Sequence, residues 1–147
     1  MTGYNLGMNN FKFHLPITVS YGDIDAQWHV NNKVFLTYIE AARFQYMLQV
    51  GLFSSESFLD LPFIVADVHV RYLAPIEVSD QVLVSMGVTR IGNKSLVFEY
   101  AVTNPDQSVV FATAETVMVT FDFHTKSSVP VSAEIRQRIS EYEGRTF

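Results

Sequence analysis

The sequence predicts an α+β fold, in which one long helix packs against an antiparallel β-sheet. Residues 32–50 have the spacing and the apolar content of a buried helix. Four long β-type segments follow that helix, and the connections between them are short. Because two parallel strands need a crossover of about a dozen residues or more, these short connections indicate antiparallel neighbours.

The first β-type segment, Lys12–Tyr21, contains a proline at position 16. A proline has no N–H to donate to a neighbouring strand. We therefore expect this strand at an edge of the sheet, or beginning only after Pro16. Residues 22–29 then form a polar loop that leads into the helix.

The helix predicted over residues 32–50 is apolar around most of its circumference. A narrow polar strip is formed by Lys33, Thr37 and Glu40. A helix of this kind is expected to have protein on nearly every side. Asn31 or Asn32 suits the N-cap, and Gly51 suits the left-handed residue that ends many helices.

The rest of the chain predicts the remaining four strands and a short final helix. The strands are expected at Phe63–Tyr72, Gln81–Ile91, Ser95–Thr103 and Val109–Phe123. The final helix is expected at Ser132–Tyr142, where apolar residues recur on one side. With the first segment this makes a five-stranded antiparallel sheet. The length is that of a single domain spanning residues 1–147.

Composition excludes several classes of function. Of the 147 residues, 48% are hydrophobic and 17% are charged, which is typical of a globular protein. The formal net charge is -5 and Lys and Arg do not cluster, so no nucleic-acid partner is expected. With 0 Cys, disulfides and thiolate metal sites are excluded. The sequence shows no signal peptide and no apolar run that predicts a membrane span, so we expect a cytoplasmic protein.

The polar loop before the helix carries the candidate chemistry. Asp25 lies a few residues before the helix start, where unpaired N–H groups favour negative charge. A carboxylate can there attack a carbonyl or activate water beside donors for an oxyanion. The simpler alternative is that Asp25 only binds those amides. Asp23 is expected to be structural, and His29 has no second His at metal-ligand spacing.

Three segments give the chain a family likeness. They are YGDIDAQWHVNNKVFLTYIEAAR from Tyr21, VRYLAPIEVSDQV from Val70 and RIGNKSLVFEY from Arg90. Together they resemble the hotdog-fold acyl-CoA thioesterases of the 4-hydroxybenzoyl-CoA thioesterase type. The resemblance implies a hotdog fold and hydrolysis of an acyl-CoA thioester. It also implies that Asp25 is the catalytic carboxylate and that a backbone amide near Asn32 polarises the carbonyl.

Further site residues are candidates beside these two. His29 and the Asn31 side chain are expected near the catalytic carboxylate, where each could instead serve only the loop or the helix cap. Tyr38 is expected at the substrate. The depth of the substrate pocket is expected to depend on Tyr38 and also on Phe35, Tyr46 and Phe58. Arg90, Lys94 and Ser95 could meet CoA phosphates or form a solvated turn. Glu40 is an alternative carboxylate, although pairing with Arg43 is favoured.

Two other functions stay open at this stage. Hotdog hydratases and dehydratases carry a pattern similar to D-x-x-x-x-H, with four residues between the Asp and the His. Asp25 and His29 have only three residues between them, which argues against this function. A non-catalytic acyl-CoA-binding protein would keep the fold and the pocket. The family resemblance further implies a homodimer or a dimer of dimers, with the acyl path between subunits. No metal or redox cofactor is expected.

Overall fold

The computed structural model describes residues 10–53 and 61–147. The strands are β1 (Phe13–Ile17), β2 (Phe63–Tyr72), β3 (Val82–Ile91), β4 (Ser95–Thr103), β5 (Val110–Asp122) and β6 (Ser127–Ser128), and the helices are α1 (Asn32–Val50) and α2 (Ala133–Glu143). Both helices and the four long strands begin and end within one residue of their expected positions. Neither α1 nor α2, the helices of the described ranges, is long and apolar enough to cross a membrane.

The strands form an antiparallel sheet in the order β1-β3-β4-β5-β2, and β6 pairs with the end of β5. The five predicted strands and their antiparallel pairing are confirmed, and β6 adds two residues that were not predicted. β1 lies at an edge, with Pro16 opposite Leu83. The position expected for this proline is confirmed, because an edge strand has one side on which no partner needs its N–H.

Helix α1 has the predicted ends but is enclosed less completely than its composition indicates. Its N-cap is Asn31, whose Oδ1 accepts a hydrogen bond from the Lys33 N–H at 3.1 Å. Its buried face consists of Phe35, Tyr38, Ile39, Ala42, Arg43, Tyr46, Met47 and Val50. The opposite face is exposed in the single chain and includes Leu36 at 38% exposure. The expectation of protein on nearly every side is therefore wrong for the single chain, because the sheet covers one face only.

Tyr46 lies at the centre of the core, where α1, the sheet and α2 meet. Its ring is 0% exposed and packs edge-on against Phe13, Phe98 and Tyr142, with centroids 5.7, 5.7 and 5.4 Å away. Its hydroxyl donates a hydrogen bond to Glu143 Oε1 at 2.6 Å. Burial, followed by the charge of Glu143, raises the pKa of Tyr46 far above its usual range. The phenol therefore remains protonated and links α1 to the end of α2.

The end of α2 also covers a part of β3 that β1 does not reach. β1 pairs with β3 only as far as Met86. Beyond it, Glu143 Oε1 accepts a hydrogen bond from the Val88 N–H at 3.0 Å. The Arg145 guanidinium donates to the carbonyls of Val88 and Thr89 at 3.1 and 2.8 Å. These side chains take the place of a neighbouring strand and satisfy backbone groups of the sheet edge.

Gly51 provides a test of the predicted end of α1. Its φ is 79°, and an added Cβ would also meet the Arg138 guanidinium. We expect Gly51→Ala to lower the free energy of unfolding by about 1–2 kcal/mol, since an L-residue is strained in this conformation. Urea denaturation measures the change.

Gly22→Ala is the matched control, because nothing lies within 4 Å of an added Cβ at that position. It should change the free energy of unfolding by no more than about 0.5 kcal/mol. Equal stability of the two variants would contradict the strain assigned to position 51.

Candidate active site

A tight hairpin carries Asp25 and is bounded by Ile24 and Val30, which pair as an antiparallel bridge. Inside the hairpin, the Asp25 N–H donates a hydrogen bond to the His29 carbonyl at 3.0 Å. The Trp28 N–H donates to the Asp25 carbonyl, also at 3.0 Å. These backbone hydrogen bonds give the polar loop of the sequence one defined shape.

The two oxygens of the Asp25 carboxylate have different surroundings. Oδ1 accepts a hydrogen bond from the Gln27 N–H at 2.9 Å. This is the local bond by which aspartate stabilises turns. Oδ2 accepts no hydrogen bond from any residue within 10–53 or 61–147. One oxygen thus holds the side chain in place, and the other remains available for chemistry.

Trp28 closes the hairpin in a strained backbone conformation. Its φ is 63°, in the left-handed region, and its side chain is 76% exposed. This conformation costs an L-residue about 1–2 kcal/mol, and strain of this kind persists where surrounding contacts determine the backbone. The Trp28 hydrogen bond to the Asp25 carbonyl is one such contact. Contacts around the turn that holds the carboxylate therefore keep Trp28 in a backbone conformation that an L-residue disfavours.

The hairpin is anchored to the connection between β2 and β3. The Val30 N–H donates to the Ile76 carbonyl at 2.8 Å, and His29 forms an antiparallel bridge with Glu77. Ile76 is 0% exposed, so the anchor belongs to the core. The hairpin therefore has a fixed position relative to the sheet.

The first turn of α1 leaves one amide unpaired beside the hairpin. The Lys33 N–H donates to Asn31 Oδ1 at 3.1 Å, and the Val34 N–H donates to the Asn31 carbonyl at 2.8 Å. The Asn32 N–H has no acceptor in the described part of the chain. Amides at a helix start carry the positive end of the helix dipole. The Asn32 N–H is thus suited to stabilise a negative oxygen.

Asp25, His29 and Asn32 share one cavity of about 480 Å³. The other walls consist of Gln27, Val30, Phe35, Tyr72, Leu73, Ala74 and Pro75. The Tyr72 hydroxyl donates to the Asn32 carbonyl at 2.9 Å, and its ring meets Phe35 edge-on at 5.1 Å. The residues that carry the carboxylate and the free amide thus line one cavity, whose walls combine polar and apolar side chains. This arrangement suits attack on an acyl carbonyl whose oxygen becomes negative.

The remaining predicted site residues do not line this cavity. Asn31 directs its side chain to the Lys33 N–H as the helix cap. The Tyr38 hydroxyl donates to Asp23 Oδ2 at 2.8 Å. The residues expected at CoA phosphates lie at the turn between β3 and β4 and are Arg90, Lys94 and Ser95. Tyr46, expected to influence pocket depth, does not line the cavity and lies in the core instead. Phe58, expected to do the same, lies outside the described residues.

Sequence reasoning missed the wall that β2 and the segment after it provide. It consists of Tyr72, Leu73, Ala74 and Pro75. These residues belong to the VRYLAPIEVSDQV segment, one of the three that carry the family likeness. That segment was the available signal. Gln27 was also missed, although it lies between Asp25 and His29 in the same hairpin.

Glu40, the alternative carboxylate, lies outside the cavity. It forms the expected pair with Arg43 at 3.7 Å, and its side chain is 66% exposed. Arg43 is buried and also donates to the Tyr100 hydroxyl at 3.5 Å. The described ranges contain no group of three or more His, Asp or Glu side chains that could hold a metal ion.

Two curated bacterial proteins are similar to this chain over most of its length. The long-chain acyl-CoA thioesterase FadM of Escherichia coli K12 is 25% identical over 123 residues, which cover 80% of this chain and 89% of FadM. The acyl-CoA thioester hydrolase YbgC of Escherichia coli O6:H1 is 29% identical over 117 residues, which cover 78% of this chain and 86% of YbgC.

A solved structure supports the same relationship. It is a thioesterase from Thermus thermophilus complexed with coenzyme A and Zn, with a TM-score of 0.84 and 33% identity, covering 95% of this chain and 100% of that one. The hotdog fold expected from the family likeness is confirmed. A model of the Thioesterase-like superfamily matches residues 19–139. This match spans most of the chain, which therefore belongs to the Thioesterase-like superfamily.

Proposed function

We propose that this protein hydrolyses an acyl-CoA thioester to the free acid and coenzyme A. The observation that carries the proposal is the shared cavity of the Asp25 carboxylate and the unpaired Asn32 amide. Similar proteins named as acyl-CoA thioesterases support the choice of substrate class. The chain contains 0 Cys, which excludes a cysteine nucleophile, and the Asp25 carboxylate is a group that can attack or activate water.

The reaction uses the two groups in complementary ways. The thioester carbonyl oxygen accepts a hydrogen bond from the Asn32 N–H, which stabilises the negative charge that develops during attack. Asp25 Oδ2 either attacks the carbonyl carbon directly or removes a proton from the attacking water. The coenzyme A thiolate leaves when the carbon–sulfur bond breaks and takes up a proton. If Asp25 attacks directly, water then hydrolyses the mixed anhydride between Asp25 and the acyl group, which releases the free acid and restores the carboxylate. His29 and the apolar walls orient the substrate.

The turn between β3 and β4 supplies cations for the CoA phosphates in this proposal. Arg90, Lys94 and Ser95 do not line the cavity of their own chain. We therefore assign them to the site of a partner chain, with the acyl and pantetheine path between subunits. The single-domain organisation and the cytoplasmic location expected from the sequence stay predictions.

Substitution of Asp25 tests the assigned chemistry. Asp25→Asn should lower thioester hydrolysis by about 10²-fold or more, because the amide can neither attack nor accept a proton. Folding should persist, since the Asn Oδ1 can still accept the Gln27 N–H bond. Thiol release from a panel of acyl-CoA esters, varied in chain length and aromaticity, measures the loss.

Glu40→Gln is the control, because Glu40 is a second carboxylate, in the middle of α1 and outside the cavity. It should keep most of the turnover. Loss of activity in Glu40→Gln together with retention in Asp25→Asn would assign the chemistry to α1 instead. A parent protein that binds several acyl-CoA esters tightly and hydrolyses none would be a binding protein.

We also propose that two copies associate through the free edge of β2. Among the described residues this strand pairs on one side only, with β5, and Phe63 is the single buried residue among its ten. Its exposed apolar side chains include Val65, Val68 and Tyr72, at 43, 42 and 46% exposure. A long apolar edge of this kind favours pairing with another chain. The opposite edge strand, β1, has five residues and a proline, which weaken such pairing.

The two edges of the sheet therefore favour a closed dimer. When two β2 edges pair about a two-fold axis, the same surface of each copy is used and the assembly closes. A dimer of dimers would need a second surface in addition. The exposed face of α1 is available for further contacts in either assembly.

Light scattering at micromolar concentration tests the association. The parent protein should have at least twice the mass of one chain. Val68→Lys should increase the monomer fraction, because it places a charge on the apolar edge strand.

The matched control is Val109→Lys, which changes an equally exposed valine at the start of the β5 segment, away from the middle of β2. It should leave the mass unchanged. A monomeric parent protein, or an equal effect of the two substitutions, would contradict assembly through β2.

A further inference from the structure

Asp23 connects the catalytic hairpin to α1 at two points. Its Oδ2 accepts hydrogen bonds from the Tyr38 hydroxyl at 2.8 Å and from the Ser20 N–H at 2.9 Å. Its backbone carbonyl accepts a hydrogen bond from the Asn31 N–H at 2.8 Å. One residue thus holds the chain before the hairpin against both the cap and the second turn of α1.

Tyr38 is a rigid partner for this contact. Its side chain is 4% exposed and belongs to the buried face of α1. Burial, followed by the hydrogen bond to Asp23, raises the pKa of Tyr38 well above its usual range. The phenol therefore stays protonated throughout the neutral pH range, and its hydroxyl donates a hydrogen bond to Asp23.

The positions of these contacts in the chain relate them to the reaction. Asp25 lies two residues after Asp23, and Asn32 is the residue after Asn31. Asp25 therefore lies two residues from Asp23 itself. Asn32 lies one residue from the Asn31 amide that Asp23 binds. Asp23 thus connects the chain on both sides of the hairpin, next to both groups assigned to catalysis.

We propose that Tyr38 and Asp23 form a positioning pair that sets the distance between the Asp25 carboxylate and the Asn32 amide. The proposal rests on the thioesterase function proposed above. Displacement of a catalytic group by about 1 Å can lower the rate of a reaction by about 10²-fold. The pair contacts no reacting atom in this scheme, so it acts only through the groups it holds.

The chain offers a matched control for the removal of this hydrogen bond. Tyr46 also lies on the buried face of α1, is 0% exposed and donates to a carboxylate, Glu143, at 2.6 Å. Tyr38→Phe and Tyr46→Phe each remove one hydroxyl and its hydrogen bond to a carboxylate. Both should lower the melting temperature, whereas only Tyr38→Phe should disturb the hairpin.

The kinetic experiment compares these two variants on the best substrate of the panel. Tyr38→Phe should lower kcat by about 10-fold with little change in KM, because misplacement acts on the transition state. Tyr46→Phe should keep the parent kcat. Asp23→Asn, which retains an oxygen acceptor for Tyr38, should lose less turnover than Asp23→Ala.

A second measurement does not depend on activity. Trp28 is the only tryptophan of the chain and lies in the hairpin, so its fluorescence reports on this loop directly. Time-resolved anisotropy of Tyr38→Phe should contain a larger fast component than that of the parent, since the hairpin has lost an anchor. Tyr46→Phe should match the parent protein.

These results separate the positioning pair from the proposed activity. Parent-like kcat and parent-like Trp28 anisotropy in Tyr38→Phe would overturn the inference, even if Asp25→Asn is inactive. Equal losses in Tyr38→Phe and Tyr46→Phe would overturn it as well, because they would indicate general destabilisation. If the parent hydrolyses no acyl-CoA, the anisotropy still decides whether Tyr38 holds the hairpin.

Discussion

The packing of one face of α1 against the antiparallel sheet determines where the helix start, beside which the candidate site forms, lies. Ile39, Ala42 and Tyr46 are at most 2% exposed, so the helix cannot rotate or slide without opening the core. The first turn of α1 is thereby held in one direction. Asn32, which begins this turn, lines the cavity beside Asp25.

A second constraint acts on the loop, most of whose residues lie outside the core. Its hairpin is held by local hydrogen bonds, by the β2–β3 connection and by Asp23. Each contact involves groups that water would otherwise solvate, so each contributes modestly to stability. Together they nevertheless keep Trp28 at a φ of 63°. The loop thus combines a strained backbone with a defined carboxylate position, as expected where function takes precedence over local preference.

Much of this fold could be predicted because its signals are local. Asn31 and Gly51 mark the ends of α1 through cap chemistry that acts within a few residues, and turn residues separate the strands. The incomplete enclosure of α1 could not be predicted. An apolar residue such as Leu36 looks the same in a sequence whether a sheet, a partner chain or solvent lies beside it. β6 has only two residues, too few to show a pattern.

The same distinction applies to the site. Asp25 became a candidate because it lies just before a helix start, and the family resemblance implied the roles of Asp25 and of the amide near Asn32. Tyr38 was expected at the substrate because it belongs to an apolar face. Its bond to Asp23 joins residues 15 positions apart and depends on how the loop folds back. Tyr72 is 40 positions from Asn32, so its contact depends on the whole sheet.

Tyr72 also joins the two proposals for this protein, association and catalysis, at one place. It is the last residue of β2, the strand with the free edge, and its hydroxyl holds the Asn32 carbonyl. The residue that carries the free amide of the site is therefore bound, through its carbonyl, by the strand assigned to the dimer. Pairing of two β2 strands would restrict Tyr72, which is 46% exposed in the single chain, and with it the first turn of α1. Association would in this way complete the cavity as well as protect the edge.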